Sequence, residues 1–63
     1  MPKIRRGNLV FLKWIGDHGS HVHVYEKELL VVKWDLDNWL PIKGRASARV
    51  LKILGDLVRE GRL

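Results

Sequence analysis

The segment at residues 21–26 alternates between two kinds of side chain, and this pattern constrains the fold more than any other feature of the chain. In an extended backbone His21, His23 and Tyr25 lie on one side of the strand, and Val22, Val24 and Glu26 lie on the other. A period of two is typical of a β-strand with one face packed on a core. We therefore expect these rings to share one face of a sheet.

Two neighbouring segments also have the character of strands. Residues 8–15 are rich in β-branched and aromatic types, which predicts a strand that is apolar on both faces and central in the sheet. Residues 16–20 have the composition of a loop. A tight connection at residues 26–28 leads to a third alternating strand at residues 29–36. Because this connection lacks an Asn-Gly or Asp-Gly pair, its register stays open.

The last third of the chain predicts a helix. Residues 37–44 break the alternation at Pro41 and Gly44 and end the strand pattern. A wide apolar stripe at helical spacing follows: Val50, Leu51, Ile53, Leu54, Leu57 and Val58. Ser47 is placed to cap its start and Gly61 to stop it. We predict an α+β fold, β-β-β-α, in which a three-stranded antiparallel sheet carries one C-terminal amphipathic helix on one face.

The size and charge of the chain limit the classes of function that it can have. The 63 residues allow a single small domain, 1–63, and we expect residues 1–7 to form a basic N-terminal arm. Cysteine is absent, which excludes disulfides, thiolate zinc sites and a thiol nucleophile. A net charge of +5 favours an anionic partner, RNA or DNA. The candidate phosphate contacts are Lys3, Arg5 and Arg6 in the arm, and Lys43, Arg45 and Arg49 near the helix start. A merely solvated basic face is the alternative.

Location and cofactors follow from what the sequence lacks. The apolar run at residues 9–15 is interrupted by Lys13 and is far shorter than the ~20 residues of a membrane span. No targeting segment is evident. We therefore expect a cytoplasmic protein with no membrane partner, and we expect no cofactor.

The three histidines, His18, His21 and His23, lie within six positions, and three interpretations of them stay open. As an acid–base pair, imidazoles can deprotonate a ribose 2′-hydroxyl and protonate the leaving oxygen. As a metal site, His21 and His23 would need His18 or Asp17 as a third ligand. In the structural alternative the rings only pack and form hydrogen bonds, and Asp17 caps the turn.

Tryptophan is abundant for a chain of this length, with three residues. We expect Trp14 and Trp34 to pack in the core, where each buries ~150–250 Å². Trp39 precedes Leu40-Pro41 and is placed to stack a base or cover a partner. With Asp17 and Tyr25 it completes the candidate recognition surface.

The run GDHGSHVHVY resembles a known family. Its hallmark is an Asp-His pair, a Pro-Pro turn and a His-x-His-Val strand, and the matching residues here are Asp17, His18, His21, His23 and Val24. The family is the bacterial domain of unknown function called DUF forty-one-sixty. Gly19-Ser20 stands in place of Pro-Pro, which loosens the turn. The resemblance extends over nearly the whole chain and implies a small stand-alone protein with a link to toxin–antitoxin loci, so a cognate toxin or antitoxin is a candidate partner.

A weaker local similarity is to HicA-type mRNA interferase toxins, in which Gly-Ser-His opens a strand and carries the catalytic histidine. Gly19-Ser20-His21 fits that pattern, although no amphipathic helix precedes the first strand. The similarity implies a catalytic His21.

Three functional hypotheses result. The first is a nucleic-acid- or partner-binding component of a toxin–antitoxin-like system. The second is a metal-independent ribonuclease with His21 as general acid or base and His18 or His23 as its counterpart. The third is a homo-oligomeric protein-interaction module, a homodimer or larger, without nucleic-acid binding, whose open sheet edge or histidine face pairs with another chain or with a second copy.

Overall fold

The computed structural model describes residues 3–16 and 19–63, which form one antiparallel sheet and a helix. The elements in chain order are β1 (Lys3–Arg6), β2 (Leu9–Gly16), β3 (Gly19–Glu26), β4 (Leu29–Asp35), β5 (Leu40–Gly44) and α1 (Ala48–Arg59). The strands are hydrogen-bonded in the order β1-β2-β3-β4-β5. The α+β class, the antiparallel sheet and the C-terminal helix are therefore confirmed, but the sheet has five strands where three were expected.

The first additional strand lies where the sequence suggested an arm. Residues 3–6 are not free but pair with β2 as an edge strand. Ile4 lies opposite Phe11 and packs against the core, while the Arg6 guanidinium donates to the Glu60 carboxylate at 2.5 Å. Because only one side chain in this short strand is apolar, the alternation of apolar and polar residues that indicates a strand cannot be recognised in its sequence.

The second additional strand lies at the opposite edge. Residues 40–44 form β5 on β4, with Pro41 opposite Trp34 and a bulge that shifts the register between Lys33 and Trp34. Proline lacks an N–H donor and is tolerated in sheets at edges and bulges. Gly44 has a φ of 81°, which favours glycine. The breaks in alternation therefore mark an irregular edge strand, not a loop between sheet and helix.

The connection between β3 and β4 is a two-residue hairpin. Lys27 and Glu28 have φ values of 52° and 67°, and Glu26 lies opposite Leu29. Positive φ at both central residues is the geometry of a type I′ turn, which matches the twist of the flanking strands. Neither residue is glycine or asparagine, so the usual signal of this turn is missing from the sequence.

The helix α1 packs across one side of the sheet. The buried core residues are Leu9, Phe11, Val22, Val24, Val32, Trp34, Val50, Leu54 and Leu57. The Ser47 hydroxyl accepts a hydrogen bond from the Val50 backbone N–H at 3.3 Å, as the sequence predicts. At the other end Gly61 has a φ of 77° and the Arg62 N–H donates to the Leu57 carbonyl at 2.9 Å. This is the Schellman arrangement.

The sheet thus has a helix face, covered by α1, and an opposite face that α1 leaves uncovered. The buried Trp34 lies on the helix face, which confirms the expectation for it. Trp14 does not lie in the core: it lies on the uncovered side and is 40% exposed. Leu9 and Phe11 occupy the helix face of β2, and the period of two then places Trp14 on the other side. Among the described residues no helix has the length and apolar character needed to cross a membrane.

Candidate nucleic-acid interface

Three rows of side chains cross the uncovered side of the sheet, and we call this surface the open face. Residues directly opposite each other in antiparallel strands point to the same side. The first row is Trp14, His21, Asp35 and Leu40; the second is Lys3, Leu12, His23, Lys33 and Lys43; the third is Arg5, Val10, Tyr25 and Leu30. The second row spans all five strands and places His23 at its centre.

Four rings on the open face form an aromatic cluster: Trp14, His21, His23 and Tyr25. The His23 ring centroid lies 5.5 Å from that of Trp14, 5.4 Å from that of His21 and 6.4 Å from that of Tyr25. These separations are those of interacting aromatic pairs. The rings therefore form one continuous set of contacts along β3, and Trp14 extends it onto β2.

The charge on the open face is mainly positive. Its rows contain the cations Lys3, Arg5, Lys33 and Lys43 and a single carboxylate, Asp35. None of the four cations forms an ion pair with another described residue, whereas on the helix side Glu60 pairs with Arg6 and Arg62. Cationic side chains that are not engaged in such ion pairs are available to an anionic ligand.

The surroundings of His23, at the centre of the cluster, favour its neutral form. Partial burial lowers the pKa of His23 below 6.5, and the electrostatic influence of His21 and Lys33 lowers it further. Its Nε2 atom is buried and has no hydrogen-bond partner among the described residues. Protonation of His23 would therefore place a poorly solvated charge beside Lys33.

Asp35 is held by the turn that follows β4. Its carboxylate accepts hydrogen bonds from the Asn38 side-chain amide at 2.8 Å and from the backbone N–H groups of Asp37 and Asn38 at 2.9 and 3.1 Å. The bonds from Asn38 are the main cause that lowers the pKa of Asp35, with a smaller contribution from His21 opposite it. Asp35 thus stays ionised, and it marks the less basic end of the open face.

The residues predicted from the sequence are divided between the two sides of the sheet. His21, His23 and Tyr25 share the open face with Lys3, Arg5 and Lys43. Lys43 was expected to cluster with Arg45 and Arg49 but lies opposite Lys33.

The remaining candidates lie elsewhere. Arg45 and Arg49 line a groove beside the start of α1, and Arg6 is paired with Glu60. Trp39 packs edge-to-face on Trp34 at 5.5 Å and is therefore on the helix side of the sheet. Asp17 and His18 lie outside the described residues.

The sequence did not single out Lys33 or the exposed position of Trp14. The position of Lys33 on the uncovered side could have been predicted, because Lys33 alternates with the buried Val32 and Trp34. For Trp14 no local signal exists, because both sides of residues 9–15 are largely apolar and only the position of α1 decides which side is covered.

Metal binding has no support among the described residues. In the described segments, residues 3–16 and 19–63, no group of three or more histidine, aspartate or glutamate side chains is placed to hold an ion. The proposed third ligands, Asp17 and His18, are outside those segments.

Comparison with known proteins gives no family assignment. No family model, no curated protein and no solved structure matches this chain.

Proposed function

We propose that the open face binds single-stranded nucleic acid. The observation that carries the proposal is the aromatic cluster centred on His23, flanked by Lys3, Arg5, Lys33 and Lys43 on three different strands. Proteins that bind single strands combine aromatic rings on which bases stack with cations that contact the backbone. Both components are present on this one surface.

The chemistry favours unpaired bases over a duplex. Bases in a duplex are stacked on each other and expose only their edges, whereas unpaired bases can stack on protein rings. Each stacked base contributes about 1–3 kcal/mol. Trp14 and Tyr25, at the two ends of the cluster, offer such surfaces, and the cations offer contacts to the phosphates between them. A duplex would gain only the phosphate contacts.

The biological setting rests on the resemblance of residues 17–24 to the DUF forty-one-sixty motif. From it we propose a component of a toxin–antitoxin-like system, with a cognate toxin or antitoxin as partner. Such a role is compatible with a nucleic-acid-binding open face, because α1 offers a separate surface for a protein on the other side of the sheet.

The proposal is tested by fluorescence anisotropy with a labelled single-stranded RNA, its DNA equivalent and a duplex of the same length, each at two salt concentrations. We expect the single strands to bind more tightly than the duplex, with an affinity that falls steeply as salt rises. Equal binding of the duplex contradicts the stacking model. Self-association with weak salt dependence, and no binding of any strand, supports the homo-oligomer hypothesis instead.

A second candidate function, RNA cleavage, is favoured by the His21–His23 pair. The two ring centroids are 5.4 Å apart, and Lys33 lies opposite His23. One imidazole would take the proton of a ribose 2′-hydroxyl as its oxygen attacks the phosphorus. The bond from phosphorus to the 5′-oxygen would break, and that oxygen would receive a proton from the other imidazole in its protonated form. Because Nε2 of His23 is buried, His21 is the better placed group to exchange protons with a substrate.

Cleavage is tested by incubating a structured RNA with the native protein and with His21→Ala in the presence of EDTA. Cleavage by the native protein alone supports the acid–base reaction and argues against a metal. Binding without cleavage, at protein concentrations that saturate the RNA, leaves the open face as a binding surface only.

A further inference from the structure

A groove lies at the β1 end of the open face, beyond the aromatic cluster. Its volume is about 670 Å³, within the range of pockets that hold small ligands. Val10 and Leu12 contribute apolar lining, and Tyr25 contributes an aromatic ring. Because Tyr25 belongs to both, the groove adjoins the aromatic cluster.

Charged and polar groups complete the lining of the groove, and their chemistry fits a nucleotide. The cations Lys3 and Arg5 come from β1, and Lys27 comes from the β3–β4 turn. Three cations against one carboxylate, Glu28, leave the groove positive and suited to a phosphate. Asn8 and Glu28 add hydrogen-bonding groups of the kind that contact base edges.

We infer that this groove is a nucleotide subsite that holds one nucleotide of the strand bound to the open face. The base lies on Val10 and Leu12 against Tyr25, and its phosphate lies among Lys3, Arg5 and Lys27. This inference rests on the proposed function and adds a site of base discrimination to it.

The chemistry of the groove also specifies which base it prefers. The Glu28 carboxylate only accepts hydrogen bonds, so it favours a base that offers an exocyclic amino group. Adenine, cytosine and guanine carry one, and uracil presents carbonyl oxygens on either side of its single N–H. The subsite therefore discriminates against uracil.

The test uses the full chain and two single-stranded RNAs, an all-uridine oligomer and the same oligomer with adenosines at alternate positions. Affinities are measured for the native protein, Lys27→Gln and Glu28→Gln, with Lys52→Gln on the exposed side of α1 as the matched control. Backbone amide shifts of Asn8 and Lys27 are followed by NMR at saturation. Thermal unfolding of each variant checks that it is folded.

The inference predicts a result for each protein and for the NMR signals. The native protein prefers the adenosine-containing strand by roughly ten-fold, the equivalent of about 1.4 kcal/mol. Glu28→Gln reduces this preference, because an amide also donates hydrogen bonds and accommodates uracil. Lys27→Gln weakens both strands, Lys52→Gln weakens neither, and the amides of Asn8 and Lys27 shift on binding.

Failure of the inference and failure of the proposed function are distinguishable. If both strands bind equally and the Asn8 and Lys27 amides do not shift while the Trp14 indole does, the groove is not a subsite and the open face still binds nucleic acid. If no strand binds at all, the proposed function fails and the subsite fails with it.

Discussion

His23 and Lys33 lie directly opposite each other on β3 and β4, in the middle row of the open face. A half-buried imidazole thus faces an ammonium group, and a second histidine, His21, lies 5.4 Å away between ring centroids. All three influences on His23 act in one direction, since burial, His21 and Lys33 each lower its pKa. The result is a neutral ring at the centre of a basic surface.

This relationship predicts a loss of stability in mild acid. The folded-state pKa of His23 lies below the ordinary value of 6.5, so the unfolded state binds the proton first as the pH falls. The contribution of neutral His23 is complete above about pH 6.5 and decreases as the pH drops toward the folded-state pKa. We expect the free energy of unfolding in urea to fall as the pH drops below about 6.5.

The matched variant is His23→Gln, which cannot titrate. The decline in stability with acid should be smaller in this variant than in the native protein, and the difference between the two isolates His23 from the other histidines. An identical decline in both proteins would mean that the folded-state pKa of His23 is not lowered.

Lys33 is predicted to contact a phosphate. Lys33→Gln should weaken the binding of a single strand and reduce the slope of log affinity against log salt by roughly 0.7, because one phosphate contact is lost. Lys52→Gln removes the same charge from the exposed side of α1 and should change neither quantity. An equal effect of the two substitutions would show that only net charge matters, which argues against a site on the open face.

Trp14 and Trp39 are about equally exposed, at 40% and 41%, but lie on opposite sides of the sheet. Trp14→Ala should lower the affinity for a single strand by about 1–3 kcal/mol, because it removes a stacking surface. Trp39→Ala should leave affinity unchanged and lower stability, because Trp39 packs on the buried Trp34. Both quantities are measured for each variant by anisotropy and urea unfolding. The reverse outcome would favour the sequence-based assignment of Trp39 to the recognition surface.

The edge strand β5 is tested by glycine substitutions. At Gly44 the φ of 81° costs an L-residue about 1–2 kcal/mol, and an added Cβ would overlap the Val31 carbonyl oxygen. Gly44→Ala should therefore lower the free energy of unfolding by more than that amount. Gly16→Ala is the control, since no atom of the described residues, its chain neighbours aside, lies within 4 Å of an added Cβ there. Equal stability of the two variants would mean that β5 is not paired with β4 as described.

Local sequence patterns predict those strands and helices in which the core-facing residues recur at the period of the element. The alternation of residues 21–26 predicts β3 and its open face, and Ser47 with the apolar stripe predicts α1. In both cases the side chains that face the core recur at the period of the element, so the pattern and the packing agree.

The edge strands could not be predicted in this way. β1 contains one apolar residue, Ile4, and β5 contains Pro41 and a bulge beside Trp34. Their strand conformation depends on hydrogen bonds to β2 and β4, which are not encoded in local propensity. The same holds for the candidate site. The histidine cluster is visible in the sequence, but its cationic border requires the cross-strand register that places Lys3, Lys33 and Lys43 in one row.

The most direct test of nucleic-acid binding by the open face uses the three tryptophan indole N–H signals in an NMR titration with single-stranded RNA. Each tryptophan reports on a different environment: Trp14 on the open face, Trp34 in the core and Trp39 on the helix side. We predict that the Trp14 indole signal shifts in a saturable manner while the other two stay in place. Shifts of Trp39 without Trp14, or no shift of any indole at saturating RNA, would contradict the assignment of nucleic-acid binding to this face.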